Sequence, residues 1–224
     1  MENGKSRSNP LFFHGKGRNR IVFISTFFFF GFFLLISCHS NTENNEFQLL
    51  ENIKLQSGDL VFRTGRSVVS HTVTLTDNNS VYSHVGMLLW TGNRWQVLHA
   101  VPNERESENE KDSVKLEDIS VFFRSDRASQ GGIYRIPMAE DDTLKLLQKG
   151  LNLYRQHLLF DNAFDDQESS AFYCTELVWF IYKNELNIDL SQGRRHKVPL
   201  FPPLIFCSDL LSYPGIEKIY EFKK

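Results

Sequence analysis

Cysteine is scarce in this chain: three in 224 residues, at positions 38, 174 and 207. That is too few for the disulfide framework that staples small exported domains. No Gly-rich phosphate loop and no internal repeat is visible, so neither a P-loop nucleotide site nor a solenoid has support. Positive charge is in short supply once the first 37 residues are set aside. That leader holds five of the 25 Lys and Arg but one of the 27 Asp and Glu, leaving 187 residues with net charge −6. An acidic domain lacks the basic footprint that phosphate contacts need, and no nucleic-acid partner is expected. His84 and His99 have no helical i, i+4 partner and no carboxylate at zincin spacing, so neither a metal nor any other cofactor is expected. The acidic stretch Asp161 to Glu168 lacks the glycine and ligand alternation of an EF-hand and reads as a solvated loop.

What is present begins with the leader itself. Lys5, Arg7, Lys16, Arg18 and Arg20 precede the apolar run Ile21 to Ile36, which ends at Ser37-Cys38. A basic segment, an apolar segment and a small residue at the junction describe an export signal. The junction resembles the lipobox of bacterial lipoproteins, which implies lipidation of Cys38 and a domain anchored in the bacterial cell envelope, facing the periplasm or exterior. The alternative is an uncleaved membrane helix, although the run is shorter than the ~17–25 residues such a helix needs. Residues 38–54 then read as a flexible tether and 55–224 as one domain.

Within that domain the strongest chemical signal is Cys174. Asp165, Asp166, Gln167, Glu168, Ser169 and Ser170 precede it, and the apolar Leu177-Val178-Trp179-Phe180 follows closely. A polar loop giving way to a buried helix places the thiol in the first turn, where free N–H groups and the helix dipole favour an anion. Such a position, with a histidine partner, is expected to lower the thiol pKa. A structural alternative is a Cys174–Cys207 disulfide.

Two histidines are candidate partners. His84 heads the β-prone run Tyr82-Ser83-His84-Val85-Gly86, and His99 lies in Val97-Leu98-His99-Ala100. The two runs flank Thr91-Gly92-Asn93-Arg94 and read as a hairpin. Strands about 4.8 Å apart bring two imidazoles on one face within reach, one to take the thiol proton and the other to orient it. His71, in a polar loop predicted over 64–80, competes for a place at the site, whereas His157 and His196 read as surface residues. Further strands are expected at Leu60–Arg63, Ile133–Ile136 and Glu217–Phe222. A helix is expected from Asp141 through Tyr154, since Leu144, Leu147 and Leu151 recur at helical spacing. Strands grouped early and helices late indicate α+β.

Gly58-Asp59-Leu60, Ser83-His84-Val85-Gly86, Phe160-Asp161 with Phe164-Asp165, and Tyr173-Cys174-Thr175-Glu176-Leu177-Val178 occur in an order that resembles the permuted NlpC/P60-type hydrolases. The likeness is to the YiiX/YebB-like group of the circularly permuted papain-like superfamily, and it covers about Leu55 to Tyr213. It implies an antiparallel sheet or half-barrel packed against helices, with Cys174 as nucleophile, His84 as base and His99 in the orienting position. Gly58-Asp59-Leu60 and Glu176 match family positions as well and read as structural. The implied activity is a cysteine amidase or peptidase acting on a peptide, amide or acyl substrate of the envelope, such as a peptidoglycan peptide. A lipid-directed acyltransferase or esterase uses the same parts, with Phe122-Phe123, Phe201 and Phe206 as candidate acyl contacts. A non-catalytic module holding the Cys174–Cys207 disulfide is the third reading.

Overall fold

The structure, a computed structural model, describes residues 53–77, 79–104, 111–165 and 170–224. The expected leader, Cys38 and all but the last two tether residues lie outside the described residues, as does part of the acidic stretch 161–168.

One sheet organises the described chain. Its strands are β1 (Leu60–Gly65), β2 (His84–Trp90), β3 (Trp95–Val101), β4 (Ser113–Asp118), β5 (Ala128–Arg135), β6 (Leu159–Phe160), β7 (Ala171–Phe172) and β8 (Glu217–Lys223). The order across the sheet is β7-β6-β4-β3-β2-β1-β5-β8, antiparallel throughout except between β6 and β7. The helices are α1 (Val68–Thr76), α2 (Ile119–Phe122), α3 (Glu140–Arg155), α4 (Cys174–Leu186) and α5 (Cys207–Leu211). The α+β expectation holds, and the histidine strands precede the cysteine helix along the chain.

Strand alternation feeds two cores. Leu60, Phe62, Val85, Met87, Leu89, Leu98 and Ala100 join Leu146 of α3 and Leu177, Val178 and Ile181 of α4 in the larger one. Val61, Leu88 and Val97, one residue out of step, join Ile119, Phe122 and Phe123 in the smaller. Each such side chain, fully buried, adds roughly 1.5–3 kcal/mol relative to exposure. A strand buried on both faces tolerates a polar side chain only where that group finds partners.

Local chemistry fixes the elements nearest the site. Gly58 turns the chain with φ +97°, its carbonyl accepts the Tyr182 hydroxyl at 2.6 Å, and Arg135 holds both carboxylate oxygens of Asp59 at 2.7 and 2.6 Å. The Gly58-Asp59-Leu60 turn is therefore structural, pinning β1 to α4 and β5. At the start of α4, Glu176 Oε2 accepts the Tyr173 N–H at 3.1 Å, satisfying one of the orphan donors of the helix. Glu176 is buried and structural in the same sense.

One expectation needs correction, and one strand was not foreseen. Residues 64–80 contain a helix, α1, because Ser67 Oγ accepts the Ser70 N–H at 3.1 Å as an N-cap; its Thr and Ser content hid it. Ser113–Asp118 forms an inner strand, β4, although half its residues are charged. Its charges are accommodated by the site described next.

Candidate active site

Four inner strands, β1 to β4, carry most of the polar groups. His84 Nε2 lies 2.9 Å from His99 Nδ1, so the hairpin brings together the two expected histidines. Both are buried, at 7% and 0% exposure. The register of β2 and β3 puts them on one face, and Gly86 leaves room for their approach: a Cβ there would lie 3.0 Å from the His99 Cβ and 2.5 Å from Val97 Cγ1. Phe122 of α2 packs across both rings, at 5.7 and 5.2 Å between centroids.

Behind the histidines lies a charge network that sequence reading missed. Glu117 Oε1 sits 3.1 Å from His99 Nε2, a contact in ion-pair range that does not form a hydrogen bond. Arg127 holds the other Glu117 oxygen at 2.7 Å and reaches Glu104 at 3.1 Å. Glu104 in turn pairs with Arg63, which stands opposite His84 in the β1–β2 ladder. Arg63 is 1% exposed; it donates to the Phe122 carbonyl at 2.9 Å and lies over the Phe122 ring at 4.5 Å. Two cations and two carboxylates balance.

This balance sets the proton positions. Burial pushes the His84 pKa well below its ordinary 6.5, and the nearby Arg63 and His99 push it further down. His99 is also lowered by burial, against the pull of Glu117. Glu117, despite burial, is held at about 2 by its His99 contact and the arginines. The imidazoles are thus neutral and the carboxylate charged. A proton on His99 Nε2, the nitrogen that faces the Glu117 carboxylate, makes Nδ1 an acceptor. In that tautomer His84 donates from Nε2, which leaves His84 Nδ1 as the free acceptor.

Cys174 and His84 line one cleft of about 200 Å³, together with Arg63, Ser83, Asn103 and Glu104. Cys174 is the first residue of α4, as expected, but its thiol is not the low-pKa group expected of a helix start. Burial raises its pKa, while the backbone N–H groups of Val85, Thr175 and Cys174 itself, and then Arg63, pull it down less strongly. The resting pair is therefore thiol and neutral imidazole.

The remaining candidates fall elsewhere. Cys174 and Cys207 are both free thiols, so the disulfide of the structural alternative is not formed. His71 sits exposed on α1, and His196 is bound to Asp209 at 2.9 Å and stacked on Phe206. Asp161, in the stretch expected to be solvated, is buried and closes its own loop by accepting the N–H groups of Ala163 and Asp165 at 2.8 and 2.5 Å. Of the candidate acyl contacts, Phe122 and Phe123 belong to the smaller core, whereas Phe201 and Phe206 line a cavity beside Cys174. Cys38 lies outside the described residues.

Comparison with known proteins bears on the family and the fold. The model of a family described as permuted papain-like amidase enzyme, YaeF/YiiX, C92 family, matches residues 54–201. The uncharacterized protein YiiX of Escherichia coli (strain K12) is 24% identical over 144 residues, which is 63% of this chain and 64% of that protein. The chain thus spans less than two thirds of that relative's length. The fold is similar to the crystal structure of metalloprotein yiiX from Escherichia coli O157:H7, with a TM-score of 0.62 and 19% identity over 75% of this chain and 98% of that one. Among the described residues no group of three or more His, Cys, Asp or Glu is placed to hold a metal ion.

Proposed function

Because the chain belongs to the permuted papain-like amidase (YaeF/YiiX) family, we propose that it cleaves an amide bond through an acyl-enzyme on Cys174, with His84 as base. The observation that carries this reading is the relay from Glu117 through His99 to His84, whose one unengaged nitrogen belongs to the residue that shares a cleft with Cys174. His99 and Glu117 are positioning residues in this scheme.

The neutral pair dictates the order of events. His84 Nδ1 takes the thiol proton as the sulfur bonds to the amide carbon, so charge separates only when substrate is in place. The N–H groups at the start of α4 face the resulting oxyanion. His84 then gives its proton to the leaving nitrogen, the C–N bond breaks, and an amine departs. Water adds to the thioester with His84 again as base; the S–C bond breaks, and the acid and the thiol are restored. Arg63, fixed beside His84, disfavours the imidazolium, so the ring rests as the free base and, once protonated, gives its proton readily to the leaving nitrogen.

The test is direct. Incubation with an acyl donor and intact-protein mass spectrometry should show one acyl group on Cys174, and Cys174→Ala should neither carry it nor turn over. Full hydrolysis by Cys174→Ala sinks the reading.

The same proposal extends to place. The basic leader and Ser37-Cys38 junction support an exported protein anchored by lipid at Cys38 and acting on a conjugate of the cell envelope. Metabolic labelling with a fatty-acid probe should mark the protein and miss Cys38→Ala.

A further inference from the structure

Two cavities meet at Cys174, and they differ in chemistry. The cleft shared with His84 is walled by Arg63, Asn103 and Glu104 together with Ala100, Val101 and Pro102. Adjoining it at Cys174 lies a second space of about 300 Å³, walled by Thr72, Val198, Phe201, Leu204 and Phe206. Val73, Ser83, Phe164, Tyr173 and Cys174 line both; His84 and Arg63 line only the first.

The direction of proton transfer decides which half of an amide occupies which space. The leaving nitrogen must receive its proton from His84 before the C–N bond breaks, so the amine half lies on the His84 side. The acyl half, attached to the same carbon, extends the other way. Resting on the Cys174–His84 reading above, we infer that the 300 Å³ cavity is the acyl site and that the substrate is an amide joining an aliphatic acyl group to a polar amine.

The walls of the cavity favour that occupant. Two of its threonine hydroxyls are turned to the protein: Thr76 Oγ1 donates to the Thr72 carbonyl at 2.8 Å, and Thr175 Oγ1 to the Ile205 carbonyl at 2.7 Å. A peptide or sugar acid placed there would bury polar groups without partners, whereas a hydrocarbon chain loses nothing. The volume reaches the lower end of the range for small-molecule sites. The adjoining turn is apolar too. Phe201 is 46% exposed, and Leu200, held at φ +72°, is fully exposed. A bulky residue in the left-handed region, presented to solvent beside a cavity, fits an entrance for an apolar chain.

The experiment uses p-nitrophenyl esters of straight-chain acids from acetyl to dodecanoyl, kept below their aggregation concentrations. These activated donors acylate Cys174 whatever the natural amine. The acylation rate, read by nitrophenolate release and by the mass of acyl-Cys174, should rise about fourfold per methylene until the cavity is full. Thr72→Trp, at an exposed position of α1, should lower the octanoyl rate at least tenfold more than the acetyl rate, and Val198→Trp should do the same from the opposite wall. Acylation of Cys174 at a rate independent of chain length, or faster with an alanyl-alanyl ester than with octanoyl, overturns the acyl assignment and leaves the nucleophile standing. Absence of any acyl group on Cys174 overturns the nucleophile and the acyl site together.

Discussion

Cys174 and Cys207 occupy nearly the same local sequence. Phe172-Tyr173-Cys174-Thr175-Glu176-Leu177 and Ile205-Phe206-Cys207-Ser208-Asp209-Leu210 each set a cysteine at the first position of a helix behind an aromatic residue. In each, the carboxylate three residues after the aromatic accepts its N–H, at 3.1 Å for Glu176 and 2.8 Å for Asp209. Burial raises both thiol pKa values. The difference lies in the surroundings. Cys174 is partly exposed, faces a cleft shared with His84 and feels the field of Arg63. Cys207 is buried, with Cys174, Asp77 and Asp209 pushing its pKa higher still. A helix start does not make a nucleophile; a base across a cleft does.

Exchanging each thiol for a methyl group tests that contrast most severely. Cys174→Ala should lower kcat by about 10⁴-fold or more, as loss of a nucleophile does. Cys207→Ala should act chiefly on stability, costing about 1 kcal/mol in denaturant titration, with a kcat loss smaller by at least two orders of magnitude. Equal losses from the two would erase the distinction.

Removing what Cys174 has and Cys207 lacks comes next. His84→Ala should lower kcat about 10³-fold, within the range for loss of a general base. Glu117→Gln keeps the shape but frees the tautomer of His99, and should lower kcat about a hundredfold with KM little changed. A Glu117→Gln enzyme as fast as wild type would leave His99 to orient His84 alone.

The site residues that sequence reasoning found are those whose type is unusual for their setting: a cysteine before an apolar run, and histidines in β-prone runs. Those it missed are charged residues on β4 and at the strand ends. Lys115, Glu117 and Asp118 make Ser113–Asp118 read as surface, yet β4 pairs with β3 over six positions. Arg63 likewise reads as the exposed end of a strand and is nearly inaccessible. Buried charges are tolerated only in compensating sets, and a set drawn from β1, β4 and two loops has no signature along the chain. The fold was legible because alternation on β1, β2 and β3 repeats over both faces, whereas α1, short and rich in threonine, carries no apolar period to betray it.

Alkylation kinetics sharpen the comparison further. With thiol and imidazole both neutral, the rate of Cys174 with iodoacetamide should climb about tenfold per pH unit from pH 6 to 8, following the thiolate fraction. Cys207 should stay unmodified in the native protein. A plateau across that interval would reveal a thiolate–imidazolium pair instead.

Acid stability carries the smallest expected effect. The folded pKa values of His84 and His99 lie below the unfolded value of about 6.5, so the unfolded chain takes up protons that the folded chain refuses. Their contribution is complete above that pH and declines as pH falls, by up to ~1.4 kcal/mol per unit for each histidine. Glu117, held at about 2 when folded, adds a loss of the same sign below its ordinary range. Denaturant titrations at pH 7.5 and 5.5 should differ accordingly, and His99→Phe should reduce the difference.

The turn between β2 and β3 touches nothing chemical. Thr91–Arg94 closes the ladder at Trp90 and Trp95, and from there the pairing counts back through Met87 and Leu98 to the two imidazoles. Because side chains alternate, inserting or deleting one residue in that turn would send His99 to the opposite face while every site residue kept its identity. The four-residue connection works as a ruler, measuring out the meeting of two rings from the far end of the hairpin. A catalogue of essential residues would pass over it, because what matters there is length and not composition.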